Sequence, residues 1–189
     1  MILEYKSLPL PPSLSAVTFK DWTLLEQGVQ RSMRDRMGES IGLIPSELPI
    51  WGYLLILRDV YLISPEIIFV SEPGFAFVLR TTYREGEVTR PEHVHVFSGL
   101  LEPSVVLPED RAPEIRVDLA TLPYATPGTM REVIETLKAM LKPTDRVVFS
   151  GETAIATALM CYVLWKPYAR ELFFEQEGKR IALSLSPSL

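Results

Sequence analysis

The stretch Arg146–Ser150 (RVVFS), Gly151-Glu152, Thr153–Leu164 (TAIATALMCYVL), Arg170–Glu175 (RELFFE), Gly178, Ile181–Ser186 (IALSLS) decides the fold. RVVFS is short, β-branched and aromatic, as a buried strand requires. The apolar run after Gly151 is too long for a strand and reads as a helix. RELFFE is the next strand, and Gly178 turns it into a hairpin with IALSLS. Strand, helix and strand in alternation imply a right-handed crossover and a largely parallel sheet.

Working towards the N-terminus, Thr126-Pro127 offers a helix N-cap with proline at the first helical position. The predicted helix runs to about Lys142 with Met130, Val133, Ile134, Leu137 and Leu141 on one stripe. Glu114–Leu119 (EIRVDL) alternates charged and apolar residues, a strand with one wet face. Residues 99–113 are Pro-rich and acidic, a connection between two parts of the chain. Before them the pattern predicts strands at Ile2–Tyr5 and Ala16–Phe19, and a helix capped by Asp21 running to about Met37. A helix over Leu48–Leu62, a hairpin from Glu66–Ser71 and Phe75–Thr82, and a strand at Glu92–Phe97 follow.

The two parts align. Setting Pro49-Ile50 on Ala154-Ile155 brings Glu47 onto Glu152, Leu54-Leu55 onto Leu159-Met160, Glu66 onto Glu171 and Phe69 onto Phe174. Dropping one residue in the turn sets Gly74 on Gly178. Duplication of one half explains this match better than a chance alignment of two helix–strand–hairpin units, and the expected fold is α/β and Rossmann-like. Two related strand–helix–strand–hairpin halves, residues 1–98 and 114–189, pack together through the 99–113 connection, with a ligand astride their pseudo-two-fold axis.

Composition limits the partners. The chain has 189 residues, 47% hydrophobic and 23% charged, enough to bury a core without staples. Its single cysteine, Cys161, lies in an apolar run and reads as a small buried hydrophobe. The net charge of −5 disfavours long duplex nucleic acid, whose affinity rests on phosphate neutralisation. A small anionic ligand needs only a local cradle. Residues 1–12 show no basic start followed by an apolar stretch, and Ile50–Ile63 is broken by Arg58 and Asp59. The expectation is a cytoplasmic protein with no membrane partner; a homo-oligomer is compatible with it. No asparagine, three glutamines and 16 prolines are the composition of a heat-adapted, thermophile protein.

Candidate chemistry gathers at turns. In open α/β sheets ligands bind beyond the carboxyl ends of the strands. Here that edge carries Ser150, Gly151, Glu152 and Thr153, with free N–H groups expected at the following helix start. The corresponding turn of the first half carries Ser46 and Glu47. Glu47 and Glu152 repel phosphate when ionised and suit ribose or adenine instead; a plain strand-to-helix turn explains the same residues. His93 and His95 share one face of a strand and could hold a metal or shuttle protons, but two ordinary surface histidines explain the pair better. Arg146, Lys166 and Arg170 flank the crossover and could reach a phosphate from the sheet edge.

Ser46-Glu47-Leu48-Pro49-Ile50-Trp51 and Val147–Gly151 (VVFSG) resemble the small CRISPR-associated ring nucleases of type III systems. That pattern is an apolar strand ending in Ser-Gly, a Pro-x-Trp helix start, a short helix and a strand–turn–strand hairpin. The first half supplies LPIWGYLL and EIIFVSEPGFAFVL, the second VVFSG and ELFFEQEGKRIALSLS. The resemblance implies antiviral defence: binding of cyclic oligoadenylate on a Rossmann-like sheet, with Ser46, Glu47, Trp51 and Ser150–Thr153 as ligand contacts. It also implies ring cleavage with a divalent metal such as manganese, an acid in the hairpin turn and a histidine after the last hairpin strand. The acid corresponds to Glu72 or Glu177. No histidine follows Leu79-Arg80-Thr81 or Leu185-Ser186-Pro187, so cleavage would fall to His93 or His95. The rival readings are a non-catalytic assembly subunit and a metal-dependent hydrolase built on the two histidines.

Overall fold

The computed structural model describes residues 2–3, 18–34, 38–43, 48–61, 66–72, 75–80, 94–97, 111–126, 128–166 and 168–184. The chain divides into two compact units, Met1–Gly99 and Leu100–Leu189.

The second unit runs β6 (Ala112–Asp118), α3 (Met130–Met140), β7 (Thr144–Ser150), α4 (Ile155–Trp165), β8 (Ala169–Gln176) and β9 (Lys179–Ala182). Its four-stranded sheet has the order β6-β7-β8-β9. The first three strands are parallel, with Val117, Phe149 and Phe174 in register, and β9 returns antiparallel. Because the order is sequential, the right-handed crossover rule puts α3 and α4 on one face, and the two helices pack on each other. That face is apolar: Val117, Val147, Phe149, Leu172, Phe174 and Ile181 are all buried. Val133 and Leu137 of α3 are buried, and α4 is buried from Ala156 to Trp165, so it has no wet face. Cys161 belongs to this core, and burial pushes its thiol up to about 12.

The opposite face follows the period of two. Arg116 of β6 bonds Glu175 of β8 at 2.8 Å and lies 3.2 Å from Glu114. Arg180 of β9 holds Glu175 at 2.6 Å and Glu114 at 3.3 Å. These bonds from Arg180 hold the Glu175 and Glu114 carboxyls below their ordinary value of 4.5. A depressed folded pKa contributes stability that is present above the ordinary value and lost as pH falls through the folded one. The thermal midpoint should therefore drop on acidification below about pH 4.5, and Glu175→Gln should flatten that drop. Parallel midpoint-against-pH profiles for the two proteins would contradict the assignment.

The first unit runs β1 (Ile2–Leu3), α1 (Trp22–Met33), β2 (Ile41–Leu43), α2 (Ile50–Tyr61), β3 (Glu66–Glu72), β4 (Phe75–Arg80) and β5 (Val94–Phe97). Its sheet has the order β1-β2-β3-β4-β5. Strands β1 to β3 are parallel, β4 is antiparallel to β3, and β5 is parallel to β4. Three parallel strands and an antiparallel return thus recur in both units. Neither sheet reverses its strand order among the described residues, so neither has the crevice such a reversal opens. Helix α1 buries Leu25, Gly28, Val29 and Met33, spaced for one stripe. It packs on α2, where Gly52 lets the helices close. A Cβ at Gly52 would lie 3.3 Å from a Leu25 methyl and 3.4 Å from a Leu48 methyl.

Two local expectations are corrected. Phe19 opens a 3-10 turn, Phe19–Asp21, instead of ending a strand. Asp21 accepts from the Thr18 N–H (3.0 Å) and hydroxyl (2.7 Å), and this closes the turn. Likewise α3 starts at Met130, with Thr129 at its N-cap. The Thr126 and Thr129 hydroxyls bond each other at 2.9 Å, and Thr129 Oγ1 accepts from the Thr126 N–H at 2.9 Å, a side-chain turn that displaces the predicted Thr126 cap. No helix among the described residues is long and apolar enough to cross a membrane.

Candidate functional site

Parallel pairing delivers the carboxyl ends of β6, β7 and β8 to one edge of the second sheet. Asp118 stands opposite Ser150 in register, and β8 ends beside them at Gln176. The segments leaving these strands build the site.

After β6 the chain makes a 3-10 turn, Leu119–Thr121. Asp118 Oδ1 accepts from the Ala120 N–H at 3.0 Å, and the Thr121 hydroxyl donates to the Asp118 carbonyl at 2.7 Å. The loop then passes the first turn of α4. There Thr157, fully buried, accepts from the Ala125 N–H at 2.8 Å and donates to the Pro123 carbonyl at 3.2 Å. Thr129 Oγ1 donates to the Tyr124 carbonyl at 2.5 Å. The loop is therefore held on both sides of Tyr124, whose side chain is 64% exposed.

After β7, Gly151 has φ +81, where L side chains are strained. A Cβ there would lie 2.6 Å from Asp118 Oδ1 and 3.3 Å from the Ala120 nitrogen. Glycine is thus required by the capped Asp118 turn beside it. Substitution at 151 disturbs that turn and so does not test ligand contact alone. Ser150 is half-buried and Glu152 exposed. Thr153 is half-buried, and its Oγ1 is buried without a hydrogen-bond partner. Ala154 occupies the N-cap of α4, and no side chain caps that helix. Its first N–H groups and the positive end of its dipole face the carboxyl edge.

After β8, Glu177 and Gly178 form the two-residue loop between the paired Gln176 and Lys179. Both have positive φ, +52 and +73, the geometry of a type I′ hairpin turn. Glu177 is exposed and is the one non-glycine residue with positive φ among those described.

Four predicted contacts, Ser150 to Thr153, and the predicted acid Glu177 thus share one edge. Asp118 joins them, and Tyr124 sits on the loop held to the first turn of α4; the sequence singled out neither. The basic residues do not join them: Arg146 and Arg170 lie near the amino ends of β7 and β8, and Lys166 follows the far end of α4. Arg170 pairs with Asp145 there at 3.4 Å.

In the first unit Trp51 is 1% exposed and meets the Phe19 ring edge-on at 5.5 Å, a core position. Glu72 ends β3, opposite Phe75 at the start of β4; His95 is the second residue of β5, opposite Phe77. Glu72 and the entry to β5 therefore lie at the same sheet edge with β4 between them. Ser46, Glu47 and His93 fall outside the described residues. Among the described residues no three His, Cys, Asp or Glu side chains converge as a metal site. Comparison with known protein families, with curated proteins and with solved structures finds no match.

Proposed function

We propose that this chain binds a nucleotide second messenger of the cyclic oligoadenylate class at the carboxyl edge of its second sheet, and that its two units are duplicated Rossmann-like halves. The observation that carries the reading is the placement of the Asp118 turn, the Ser150–Thr153 turn and Glu177 at one edge of the sheet, where α4 starts without a side-chain cap. The N–H groups there suit one phosphate. Asp118, Glu152 and Glu177 repel further phosphates and instead accept hydrogen bonds from ribose hydroxyls and adenine amino groups. Recurrence of three parallel strands and an antiparallel return in both units, with α2 and α4 beginning at the aligned residues Ile50 and Ile155, supports the duplication. The reading is one of binding; no cleavage step is assigned to His93, His95, Glu72 or a metal.

Thermal-shift measurements with cyclic and linear oligoadenylates test it, because a ligand of the native state raises the midpoint by mass action. A rise with cyclic oligoadenylate and none with an equal charge of inorganic polyphosphate is expected. Glu177→Asn sharpens the test. Asparagine tolerates the left-handed conformation, so this variant should gain up to about 1 kcal/mol of stability while losing affinity. Stability gained with affinity unchanged would remove Glu177 from the site; no shift with any oligoadenylate would refute the reading.

A further inference from the structure

We infer that Tyr124 is the base-stacking residue of this site, an inference that rests on the nucleotide reading above. Tyr124 is 64% exposed, whereas Trp51, Tyr53, Phe149, Tyr162, Trp165 and Phe174 are buried. Exposing a large ring on a mobile loop would be unremarkable, but this loop is fixed. The carbonyl of Tyr124 is held by Thr129, and its neighbours Pro123 and Ala125 are held by Thr157. Thr157 lies in the first turn of α4, the helix whose start forms the phosphate end of the site. The same loop touches the Gly151 turn at its other end, through Asp118 and Ala120.

A ring displayed to solvent from a fixed backbone loses little entropy when a flat partner covers it, as a stacking platform requires. The surroundings select the partner. Carboxylates at Asp118, Glu152 and Glu177 and a helix N-terminus favour a ligand that carries amino groups, hydroxyls and one nearby phosphate. Adenosine monophosphate units have all three. Tyr124 supplies the apolar face that these polar groups lack. Adenine discrimination then comes from the carboxylates and affinity for the base from the ring.

The test is binding of cyclic tetraadenylate, and of an abasic tetranucleotide of equal phosphate charge, to the full chain and to Tyr124→Ala and Tyr124→Trp. Both substitutions are at an exposed side chain and should leave the thermal midpoint of the free protein in place. Removal of one stacked base contact should weaken cyclic tetraadenylate by about tenfold or more, while Tyr124→Trp retains affinity and shows indole fluorescence quenching on binding. The abasic probe should bind the full chain and Tyr124→Ala alike. Equal affinity of the full chain and Tyr124→Ala for cyclic tetraadenylate would overturn the stacking role and leave the nucleotide reading standing. Failure of the unsubstituted chain to bind would overturn both.

Discussion

Arg58→Ala is expected to destabilise the first unit by about 3–5 kcal/mol, because it strands a buried carboxylate. Arg58 is 3% exposed in α2. Its guanidinium donates to Glu26 of α1 at 2.6 Å and to Asp59 at 2.8 Å. The Asp59 side chain is 8% exposed, and its Oδ2 has no hydrogen-bond partner. Burial pushes its carboxyl above the ordinary value of 3.8, and the guanidinium offsets this only in part. With Arg58 gone, protonation of Asp59 becomes the cheapest way to neutralise it. An acid whose folded pKa is raised contributes stability that is present below the unfolded value and lost as pH rises through the folded one. The cost of Arg58→Ala should therefore be smaller near pH 4 than at pH 7. Denaturant unfolding at the two pH values measures this. A cost independent of pH would mean lost packing of the Arg58 stem, and Arg58→Met, which keeps the stem, would then be near neutral.

The same pair shows how far the sequence could be read. Arg58 and Asp59 in an apolar run argue against a membrane span, and the helix there is found. Their burial was not foreseen, although a signal existed. Around Ile50–Tyr61 the remaining residues are apolar on every side, so the helix offers no wet face for two charges. Two such residues in succession then require a partner from another element, and Glu26 supplies it. Strands were legible wherever β-branched and aromatic residues cluster, as in RVVFS and EIIFVS. Boundaries failed where side chains compete with the backbone. The Thr126–Thr129 hydroxyl pair and the Thr18–Asp21 pair each close a local turn that outweighs the pattern of apolar residues around it.

The sheet edge proposed as the site was legible where it depends on one strand end and illegible where it depends on two. Ser150–Thr153 follows from a strand running into a helix. Glu177 follows from the hairpin. Asp118 matters only because parallel register brings the end of β6 opposite Ser150. Tyr124 matters only because Thr157, 33 positions along, holds the chain beside it. Gly151 likewise depends on β6, because a Cβ there would lie 2.6 Å from Asp118 Oδ1. One unused signal was the Asp-x-x-Thr pattern at Asp118–Thr121, the mark of a side-chain-capped turn at a strand end.

Phe149→Ala should be the most damaging single change in the second unit, at about 3–5 kcal/mol. Phe149 is fully buried on the central parallel strand, with Val117 on one side in register and Phe174 on the other. Removing the ring opens a cavity between those two positions and under the helices. Flanking strands paired over several residues resist collapse into it, so the cost falls at the upper end of such substitutions. Phe149→Leu, which keeps most of the volume, should cost less than half as much. Arg146→Ala provides the comparison on the same strand: Arg146 is exposed, and its loss should stay within about 0.5 kcal/mol. The effect also reaches the site, because Phe149 anchors the residue before the Gly151 turn. Loss of the ring frees Ser150 and Gly151 from their fixed position against Asp118. Phe149→Leu, still folded, should therefore bind cyclic oligoadenylate more weakly than the unsubstituted chain, whereas Arg146→Ala should not. Denaturant midpoints for the three variants measure the first effect and calorimetry at a temperature where all are folded measures the second. Equal costs for Phe149→Ala and Arg146→Ala would invert the two faces of the sheet and move the core away from α3 and α4.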